Sequence, residues 1–548
     1  MDGEEEVPVI NAPQVVRCRR CRTYINPWVS FVENNTRWKC NMCFLTNDVP
    51  SYFDWDESTR SFVNRMSRPE LTHSVVEYIA PQEYMVRPPQ PVIMLFIIDV
   101  TYASVQSGMV AVAAKAILDA LSTIPNSDGR TKVGFISYDS SIHFYNMSSG
   151  LSEPQMLVVP DLQDTYLPIM PFDLLVGLSE GREMIESFLK KFPSLFQHTT
   201  QTQSVLGKAL RAGQKLINPV GGKMVVLCHT LPNLGEGALK ARDEIKLLGT
   251  AKESGLLQPS IGFYKSLAVD CSPSQISIDM FLFNATYADV ATLSGCAKFT
   301  GGSTYYYPKF NGTRREDAIK FASELGNLLS RPLALEAVMR VRYPKGITAT
   351  AFHGNFFLRS SDLLSLPNVN PDNSYAIELS ITDNLNGQVV CFQTALLHTS
   401  SNGERRIRVL TLALPITTSI GEVFASVDQV ALTALLAKKA VERALSSKID
   451  DAREAILYKV AEIAAFYRTN VINGSANGPL VLPESMKLLP VLTLAMIKNV
   501  AFRASAAIPI DLRSYYLLLH YVFSPELIIV NMYPRFWNLA TLLVDEKV

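Results

Sequence analysis

Four cysteines near the N-terminus have the spacing of a structural zinc site. They form two C-x2-C pairs separated by 18 residues, namely Cys18 with Cys21 and Cys40 with Cys43. Two such pairs can place four thiolates tetrahedrally around one Zn²⁺. All four ligand positions would then be filled by protein, so the pattern indicates structural rather than catalytic zinc. The alternative is two pairs of buried free cysteines, but free cysteines would not need either C-x2-C spacing.

Arginines surround the first cysteine pair, at Arg17, Arg19, Arg20 and Arg22. A loop held by metal would fix their guanidinium groups on a rigid platform, which suits the binding of acidic groups on a partner. The whole chain carries 51 Lys plus Arg against 51 Asp plus Glu. No global field therefore favours nucleic acid or an anionic membrane, and any basic recognition surface must be local.

The motifs of common enzymes are absent from the sequence, which has no G-x-S-x-G elbow, Walker A loop or H-E-x-x-H. Asp99 ends an apolar strand, where a von Willebrand A-type domain would place a D-x-S-x-S metal site. Thr101 occupies the third position of that pattern, but Ala103 at the fifth has no oxygen for a hard cation. We therefore predict no Mg²⁺ site and no enzymatic activity.

Apolar strands and helical stretches alternate from Val92 onward. The run from 92 to 98 is continuously apolar, as expected of a buried parallel strand. Further strands are predicted over 132–138, 223–228 and 277–283, and helices over 110–121, 204–217, 243–254 and 315–329. This rhythm predicts a doubly wound α/β sheet, one of several domains in a chain of 548 residues.

The pattern changes near Pro332. Residues 375–381 and 406–412 alternate apolar and polar side chains, which predicts an antiparallel β-sandwich. From Val427 onward, apolar stripes at helical spacing predict an all-α region that extends to Trp537. The N-terminus has no apolar signal-peptide core, and no apolar run approaches the ~20 residues that span a bilayer. We expect a cytoplasmic protein that contacts membranes only peripherally.

Four segments carry a resemblance to a known family. They are VRCRRCRTYINPWVSFVENNTRWKCNMC, FIIDVTYASVQSG, GNFFLRSSDLLSLPNVNPD and GERRIRVLTLALP. In this order they resemble the Sec-twenty-four family, the cargo adaptors of the COPII vesicle coat, over about 15–537. The resemblance implies five segments: first strands of a β-sandwich (1–16), a zinc finger (17–68), a von Willebrand A-like trunk (69–331), the β-sandwich (332–426) and a helical domain (427–548). Relative to that family we expect the chain to lack a Pro-rich N-terminal tail and a C-terminal gelsolin-like domain.

The resemblance also implies a function and its residues. The chain would bind sorting signals of cargo membrane proteins for export from the endoplasmic reticulum to the Golgi. An acidic-signal pocket would contain Arg17, Arg22, Arg340 and Arg342, with Leu397 as its apolar wall. Arg130 would belong to a separate pocket that reads SNARE proteins. Each of these arginines could instead be an ordinary solvated residue of a strand, loop or turn.

The resemblance implies partners as well. The trunk would pair with the GTPase-activating inner-coat subunit, and through it the chain would meet the small GTPase of the coat indirectly. The pair would lie peripherally on the anionic endoplasmic reticulum membrane and on coated vesicles. Two alternatives remain open: the paralogous GTPase-activating subunit itself, and a zinc-ribbon protein that binds nucleic acid, which the neutral net charge disfavours.

Overall fold

The computed structural model describes residues 6–56, 59–85, 87–360, 362–385, 387–475 and 477–532. Residues 1–5 of the predicted first sandwich segment and residues 533–548 of the predicted helical domain, including Trp537, lie outside these ranges.

The N-terminal part forms a small sheet and several short elements. Its strands are β1 (Val9–Ile10), β2 (Ser30–Val32), β3 (Arg37–Lys39), β4 (Thr46–Asp48), β5 (Trp55–Asp56), β6 (Ser61–Phe62) and β7 (Val75–Ile79), with one helical turn, α1 (Pro69–Thr72). Strands β2, β3 and β4 form an antiparallel sheet, in which β2 and β3 lie between the two cysteine pairs in the chain and β4 follows the second pair. Trp38 is buried in its core together with Cys18 and Cys40.

The trunk is built on an eight-stranded sheet. Its strands are β8 (Ile93–Asp99), β9 (Lys132–Tyr138), β10 (Ile142–Asn146), β11 (Gln155–Val159), β12 (Val176–Gly177), β13 (Gly222–Cys228), β14 (Ile276–Asn284) and β15 (Thr304–Pro308). The order is β11-β10-β9-β8-β13-β14-β15, and β12 pairs with β9. Strands β8, β13 and β14 are buried throughout. Burial on both faces explains the apolar sequence of β8 before Asp99, and the buried Lys223 of β13 pairs with the buried Asp279 of β14.

Helices cover both faces of this sheet. They are α2 (Tyr102–Gln106), α3 (Met109–Ala120), α4 (Pro171–Leu174), α5 (Arg182–Leu195), α6 (Leu206–Ile217), α7 (Glu253–Leu256), α8 (Phe263–Cys271), α9 (Val290–Leu293), α10 (Gly295–Thr300) and α11 (Arg315–Ser330). Side chains of β8 alternate between two cores: Phe96 packs with α3, α5 and α11, and Ile97 with α6, α8 and α10. The predicted doubly wound, von Willebrand A-like trunk is confirmed.

One predicted trunk helix is wrong. Residues 243–254 contain only a 3₁₀ turn at Ile245–Leu247, and α7 begins at Glu253. Gly249 adopts a left-handed φ of +73°, which interrupts an α-helix, and its N–H donates to the Glu253 carboxylate (2.8 Å). Ile245 is 76% exposed, so the segment also lacks the buried apolar stripe that stabilises a surface helix.

The β-sandwich follows. Its strands are β16 (Ala334–Arg342), β17 (Ile347–His353), β18 (Phe357–Ser360), β19 (Leu363–Val369), β20 (Ala376–Ile381), β21 (Val389–Ser400) and β22 (Arg405–Pro415). The larger sheet has the order β1-β7-β22-β21-β16-β19-β18, and β17 pairs with β20. Strand β7 therefore belongs to this sheet, although residues 69–331 were predicted as trunk. Its pairing with β22, more than 300 residues later, leaves no local signal in the sequence.

The last domain is helical, with α12 (Ile420–Ala425), α13 (Gln429–Ser446), α14 (Ile449–Asn470), α15 (Leu489–Lys498), α16 (Ile510–Val522) and α17 (Pro525–Met532). Asp428 caps α13 by accepting the N–H groups of Val430 and Ala431. No helix in the described ranges is long and apolar enough to cross a membrane.

A buried ion pair joins the helical domain to the trunk. Arg513 on α16 is fully buried, and its Nε donates to Glu253 on α7 (2.6 Å). The same guanidinium donates to the carbonyls of Val500, Ala501, Arg503 and Ser505. Burial lowers the pKa of Arg513, and the Glu253 charge opposes that effect. Each of these two buried charges therefore needs the other as its counter-charge.

We expect Glu253→Ala to destabilise the docking of the helical domain by about 3–5 kcal/mol, because it leaves the Arg513 charge buried without a counter-charge. Urea unfolding followed by circular dichroism measures the loss. Glu244→Ala, at an exposed position of the same loop, serves as the control and should leave the curve unchanged. Equal curves for wild type and Glu253→Ala would contradict this account of the domain contact.

Candidate metal centre and anion-binding pocket

The four predicted cysteines lie together. Their Sγ atoms are all within 4.8 Å of one another, with 3.5 Å between Cys18 and Cys43 and 3.5 Å between Cys21 and Cys40. A Zn–S bond of about 2.3 Å in a tetrahedral site puts neighbouring sulfurs about 3.8 Å apart. The cluster therefore has the size, geometry and donor set that Zn²⁺ requires.

The two cysteine pairs have matching backbone turns. The N–H of Arg22 donates to the Cys18 carbonyl (3.0 Å), and that of Phe44 donates to the Cys40 carbonyl (2.9 Å). Arg22 and Phe44 both adopt left-handed φ values, 60° and 61°. This conformation is unfavourable for residues other than glycine, so the hydrogen bonds and the metal must hold it. The position of Arg22 is thus set by the zinc site.

Gln393 fixes the segment after the first cysteine pair to the β-sandwich. This side chain on β21 is fully buried. Its Oε1 accepts the Tyr24 N–H (2.8 Å) and its Nε2 donates to the Tyr24 carbonyl (3.0 Å). Arg17 and Tyr24 form an antiparallel bridge with each other. The zinc finger and the sandwich therefore share one rigid junction at Tyr24.

Two guanidinium groups contact the Tyr24 ring at this junction. The Cζ atoms of Arg17 and Arg342 lie 4.6 Å and 5.5 Å from the ring centroid. Arg17 donates to the Arg22 carbonyl (3.0 Å) and to the hydroxyl of Tyr84 (3.2 Å). We call Arg17, Tyr24, Tyr84 and Arg342 the Tyr24 cluster. It concentrates two positive charges around one aromatic ring, an arrangement that cation–π attraction permits.

Arg342 is the unusual member of the Tyr24 cluster. Its Nε and Nη1 atoms are buried and have no hydrogen-bond partner among the described residues. Burial lowers the pKa of Arg342 to about 10; Tyr24 opposes this shift and the Arg17 charge adds to it. The side chain thus stays charged at neutral pH, although its two buried nitrogens lack hydrogen-bond acceptors. Such a group can bind a carboxylate that supplies the missing acceptors.

The other residues predicted for the acidic-signal pocket have different surroundings. Arg340 lies on the same face of β16 but is exposed and donates to Asp362 through Nε (2.8 Å) and Nη2 (2.7 Å). Leu397 is paired with Val338 and packs partly buried against the core that contains Tyr24. Arg22 is exposed beside Arg17. The sheet thus places Arg340 and Leu397 near the cluster, with Arg340 already paired.

Arg130 lies in a separate trunk turn. Its Nε donates to Asp128 (2.8 Å) and its Nη1 to the Pro89 carbonyl (3.0 Å). These contacts are those of a residue that stabilises the entry to β9, and they leave the guanidinium partly exposed. Its predicted role with SNARE proteins stays a prediction.

Asp99 has a structural role at the end of β8. Its two carboxylate oxygens accept the backbone N–H groups of Thr101 (2.9 Å), His229 (3.0 Å) and Thr230 (2.8 Å). Thr101 Oγ1 is hydrogen-bonded to Thr230 Oγ1 (2.6 Å). The carboxylate therefore ties together the loops that follow two neighbouring strands.

Three residues of the site were not predicted from the sequence: Tyr24, Tyr84 and Gln393. Tyr24 has a usable signal, because it stands two residues after Arg22 in the metal-held loop. Tyr84 and Gln393 contact the loop from 67 and 369 residues away along the chain. Only the fold brings them to it.

Models of four domains of one family match the chain in order. They are the Sec23/Sec24 zinc finger (15–53), trunk domain (89–329), beta-sandwich domain (334–417) and helical domain (428–530). The chain therefore belongs to the Sec23/Sec24 family. This match confirms the family resemblance seen in the sequence. It also confirms the four-part fold class and the zinc finger with its four cysteines.

Relatives within the family are named as Sec24 proteins. The chain is 52% identical to protein transport protein sec24 of Aspergillus terreus, covering 100% of this chain and 61% of the relative. It is 52% identical to SEC24 of Coccidioides immitis, covering 100% of this chain and 59% of the relative. The chain thus spans about three fifths of these curated relatives.

A solved structure agrees over nearly the whole chain. The crystal structure of the human COPII-coat protein Sec24c is 33% identical, with a TM-score of 0.90, over 97% of this chain and 70% of that one.

Proposed function

We propose that this chain is a non-enzymatic cargo adaptor of the COPII coat, which binds acidic sorting signals in the cytosolic tails of membrane proteins. The names of its Sec24 relatives support the class. The single observation that carries the binding function is Arg342, a half-buried cation beside Arg17 whose buried Nε and Nη1 have no hydrogen-bond partner among the described residues. A carboxylate of the signal would accept hydrogen bonds from the Nε and Nη1 groups of Arg342.

The expected affinity follows from the contacts. Each charge-assisted hydrogen bond contributes roughly 1.5–3 kcal/mol, and a buried apolar side chain against Leu397 adds about 1.5–3 kcal/mol. Ordering a flexible peptide tail costs a large part of this sum, so a Kd in roughly the micromolar to millimolar range results. Weak binding suits an adaptor that must release its cargo.

A pair of double variants tests the location of the pocket. Arg17→Ala/Arg22→Ala should weaken binding of a fluorescein-labelled Asp-x-Glu peptide by at least about tenfold, with unchanged zinc content. Arg19→Ala/Arg20→Ala removes the same charge from the same loop but leaves the Tyr24 cluster intact, and should weaken binding far less. Equal losses in the two variants would mean that only the net charge of the loop matters.

We propose that the trunk pairs with the GTPase-activating inner-coat subunit, and that the sheet edge at β11 contributes. The only described neighbour of β11 is β10, and its side chains Met156 and Val158 are 44% and 49% exposed. An open strand edge with apolar side chains is suited to pairing with another chain. The chain would then lie peripherally on the endoplasmic reticulum membrane and coated vesicles and meet the small GTPase through this partner.

We expect Val158→Asp to weaken association with the inner-coat partner by at least about tenfold, because it buries a carboxylate at the interface. Analytical ultracentrifugation of the mixed proteins measures the association. Ile319→Asp, at an exposed apolar position on α11, is the control and should associate as wild type does. Unchanged association of Val158→Asp would exclude this edge of the sheet from the interface.

The two alternatives have direct assays. A zinc-ribbon protein that binds nucleic acid would bind oligonucleotides with a steep dependence on salt. A GTPase-activating subunit would accelerate GTP hydrolysis by the coat GTPase with an arginine finger. We expect neither activity.

We also propose Arg130 as the contact for SNARE cargo. An acidic group of that cargo would replace Asp128 as the partner of the Arg130 guanidinium.

A further inference from the structure

An apolar groove lies between α14 and α15 of the helical domain. It has a volume of about 710 Å³, and the loop over 480–482 also lines it. Leu457 of α14, Leu480 of the loop and Leu494 of α15 line the groove and are 46%, 54% and 46% exposed. Exposed leucines that share one concave surface mark a docking site for an apolar partner.

The two ends of the groove differ in charge. Ile497, near the end of α15, lines one end, and Lys487, which precedes α15, lines the other. A helix rises about 1.5 Å per residue, so about 15 Å separates these two ends. Lys487 forms an ion pair with Glu484, and both side chains are exposed. Such a pair is weak in water, so Lys487 is free to meet a second carboxylate.

The chain passes beyond the described ranges at the Ile497 end of the groove. Helix α17 ends at Met532, which belongs to the same buried cluster as Ile497. Asn499, just after α15, donates through Nδ2 to the carbonyl of Asn531 (3.3 Å). Because consecutive residues reach at most about 3.6 Å each, the segment that follows Met532 must begin beside this end of the groove.

The sequence after α17 has the pattern of a helix that binds in a groove. Phe536, Leu539 and Leu543 stand at positions i, i+3 and i+7, which is the spacing of apolar anchors in such helices. Asn538 and Thr541 fall between the anchors and would occupy the opposite face. The segment is therefore amphipathic, with an apolar stripe that needs a partner.

We propose that residues 536–546 of this chain bind in the groove as an amphipathic helix. The segment would enter beside Ile497, and its three anchors, Phe536, Leu539 and Leu543, would pack against the exposed leucines of the lining. A helix over these residues is about 15 Å long, which is also the length of the groove. The occupant is part of the same chain, so the inference does not depend on the proposed adaptor function.

The charges of the segment agree with this direction of binding. Asp545 and Glu546 stand at the end of the segment and would lie beside Lys487. The opposite direction would place both carboxylates at Ile497, where the lining is apolar. Charge complementarity and the point of entry therefore select the same orientation.

Photo-crosslinking in the full chain tests where the segment lies. Trp537 is replaced by p-benzoylphenylalanine, and mass spectrometry identifies the peptides that are linked after irradiation. We expect links to residues 457–464 or 480–497. Leu494→Asp should lower the yield at least about fivefold, because it places a charge in the apolar lining. Val530→Asp is the matched control, at a 60% exposed apolar position of α17 outside the groove, and should leave the yield unchanged.

Each other outcome of the crosslinking overturns the proposal. Links confined to other parts of the chain, or no links at all, would place the segment elsewhere. Links between two chains would show that the groove takes the segment of a second copy. Equal yields in Leu494→Asp and Val530→Asp would exclude the groove. If Leu494→Asp unfolds at a lower temperature than wild type, Leu457→Asp makes the same test from α14, at another exposed position.

A peptide with the sequence of residues 533–548 tests whether the groove is occupied. Labelled with fluorescein, it should bind the Leu543→Asp chain at least about tenfold more tightly than the wild-type chain. In the wild type the attached segment competes for the groove, whereas in Leu543→Asp a buried charge weakens that competitor. Equal affinity for the two chains, or no binding to Leu543→Asp, would contradict the proposal.

Discussion

Arg342→Met is expected to weaken binding of an Asp-x-Glu peptide by roughly 10- to 100-fold without lowering the stability of the free protein. Stability and binding should respond differently because Arg342 is half-buried and its buried Nε and Nη1 have no hydrogen-bond partner in the described part of the chain. In the free protein its charge carries a desolvation cost, so an apolar side chain of similar length is neutral or stabilising there. Only the complex needs the guanidinium. Anisotropy titration and thermal unfolding measure the two quantities.

Arg340→Met is the matched control, since it makes the same substitution two residues away on the same strand face. Arg340 is exposed and already paired with Asp362, so its removal should change peptide affinity by less than about threefold. If both variants lose affinity equally, the pocket responds to net charge and not to the buried guanidinium. If Arg342→Met also unfolds at a markedly lower temperature, the side chain has a structural role that the geometry does not indicate.

Loss of the metal should abolish peptide binding and destabilise the N-terminal domain. Cys40→Ser removes one of the four ligands, and structural zinc contributes apparent binding free energies of about 10–16 kcal/mol in zinc-finger peptides. Arg17, Arg22 and Tyr24 lie on the loop that the metal holds, so their placement should be lost with it. The zinc content measured by metal analysis should fall from one Zn²⁺ per chain to well below one. The acidic peptide should no longer bind measurably.

Cys228→Ser is the control for the zinc experiment. Cys228 is a buried trunk cysteine outside the metal cluster, so the variant should retain both zinc and peptide binding. Binding that persists in Cys40→Ser after the zinc has gone would show that the loop holds its shape without metal. The hydrogen bonds between Gln393 and Tyr24 would then suffice to place the arginines.

The sequence was most informative where the signal is local. The spacing of the cysteines predicted the zinc site, because the geometry of the metal dictates how its ligands are spaced. The apolar run from Val92 predicted strand β8 (Ile93–Asp99), since a strand buried on both faces is largely apolar. Predictions failed where the outcome depends on distant partners. Strand β7 was placed with the trunk because its sheet partner, β22, comes more than 300 residues later.

The same limit applies to the binding site. Arg17, Arg22 and Arg342 were named from a resemblance, but the sequence did not distinguish the paired Arg340 from the unpaired Arg342. That difference depends on Asp362, which pairs with Arg340, and on Tyr24, which covers Arg342. Gln393 was missed for the same reason, because nothing near it in the sequence marks a buried amide that anchors another domain.

The central claim is that the Tyr24 cluster recognises carboxylates of a sorting signal. The most direct measurement is a titration of the wild-type chain with an Asp-x-Glu peptide and with its Asn-x-Gln counterpart, which has the same shape without the charge. We predict saturable binding of the acidic peptide with a Kd in roughly the micromolar to millimolar range and at least about tenfold weaker binding of the amide peptide. Equal binding of the two peptides, or no binding of either to folded, zinc-loaded protein, would contradict the account.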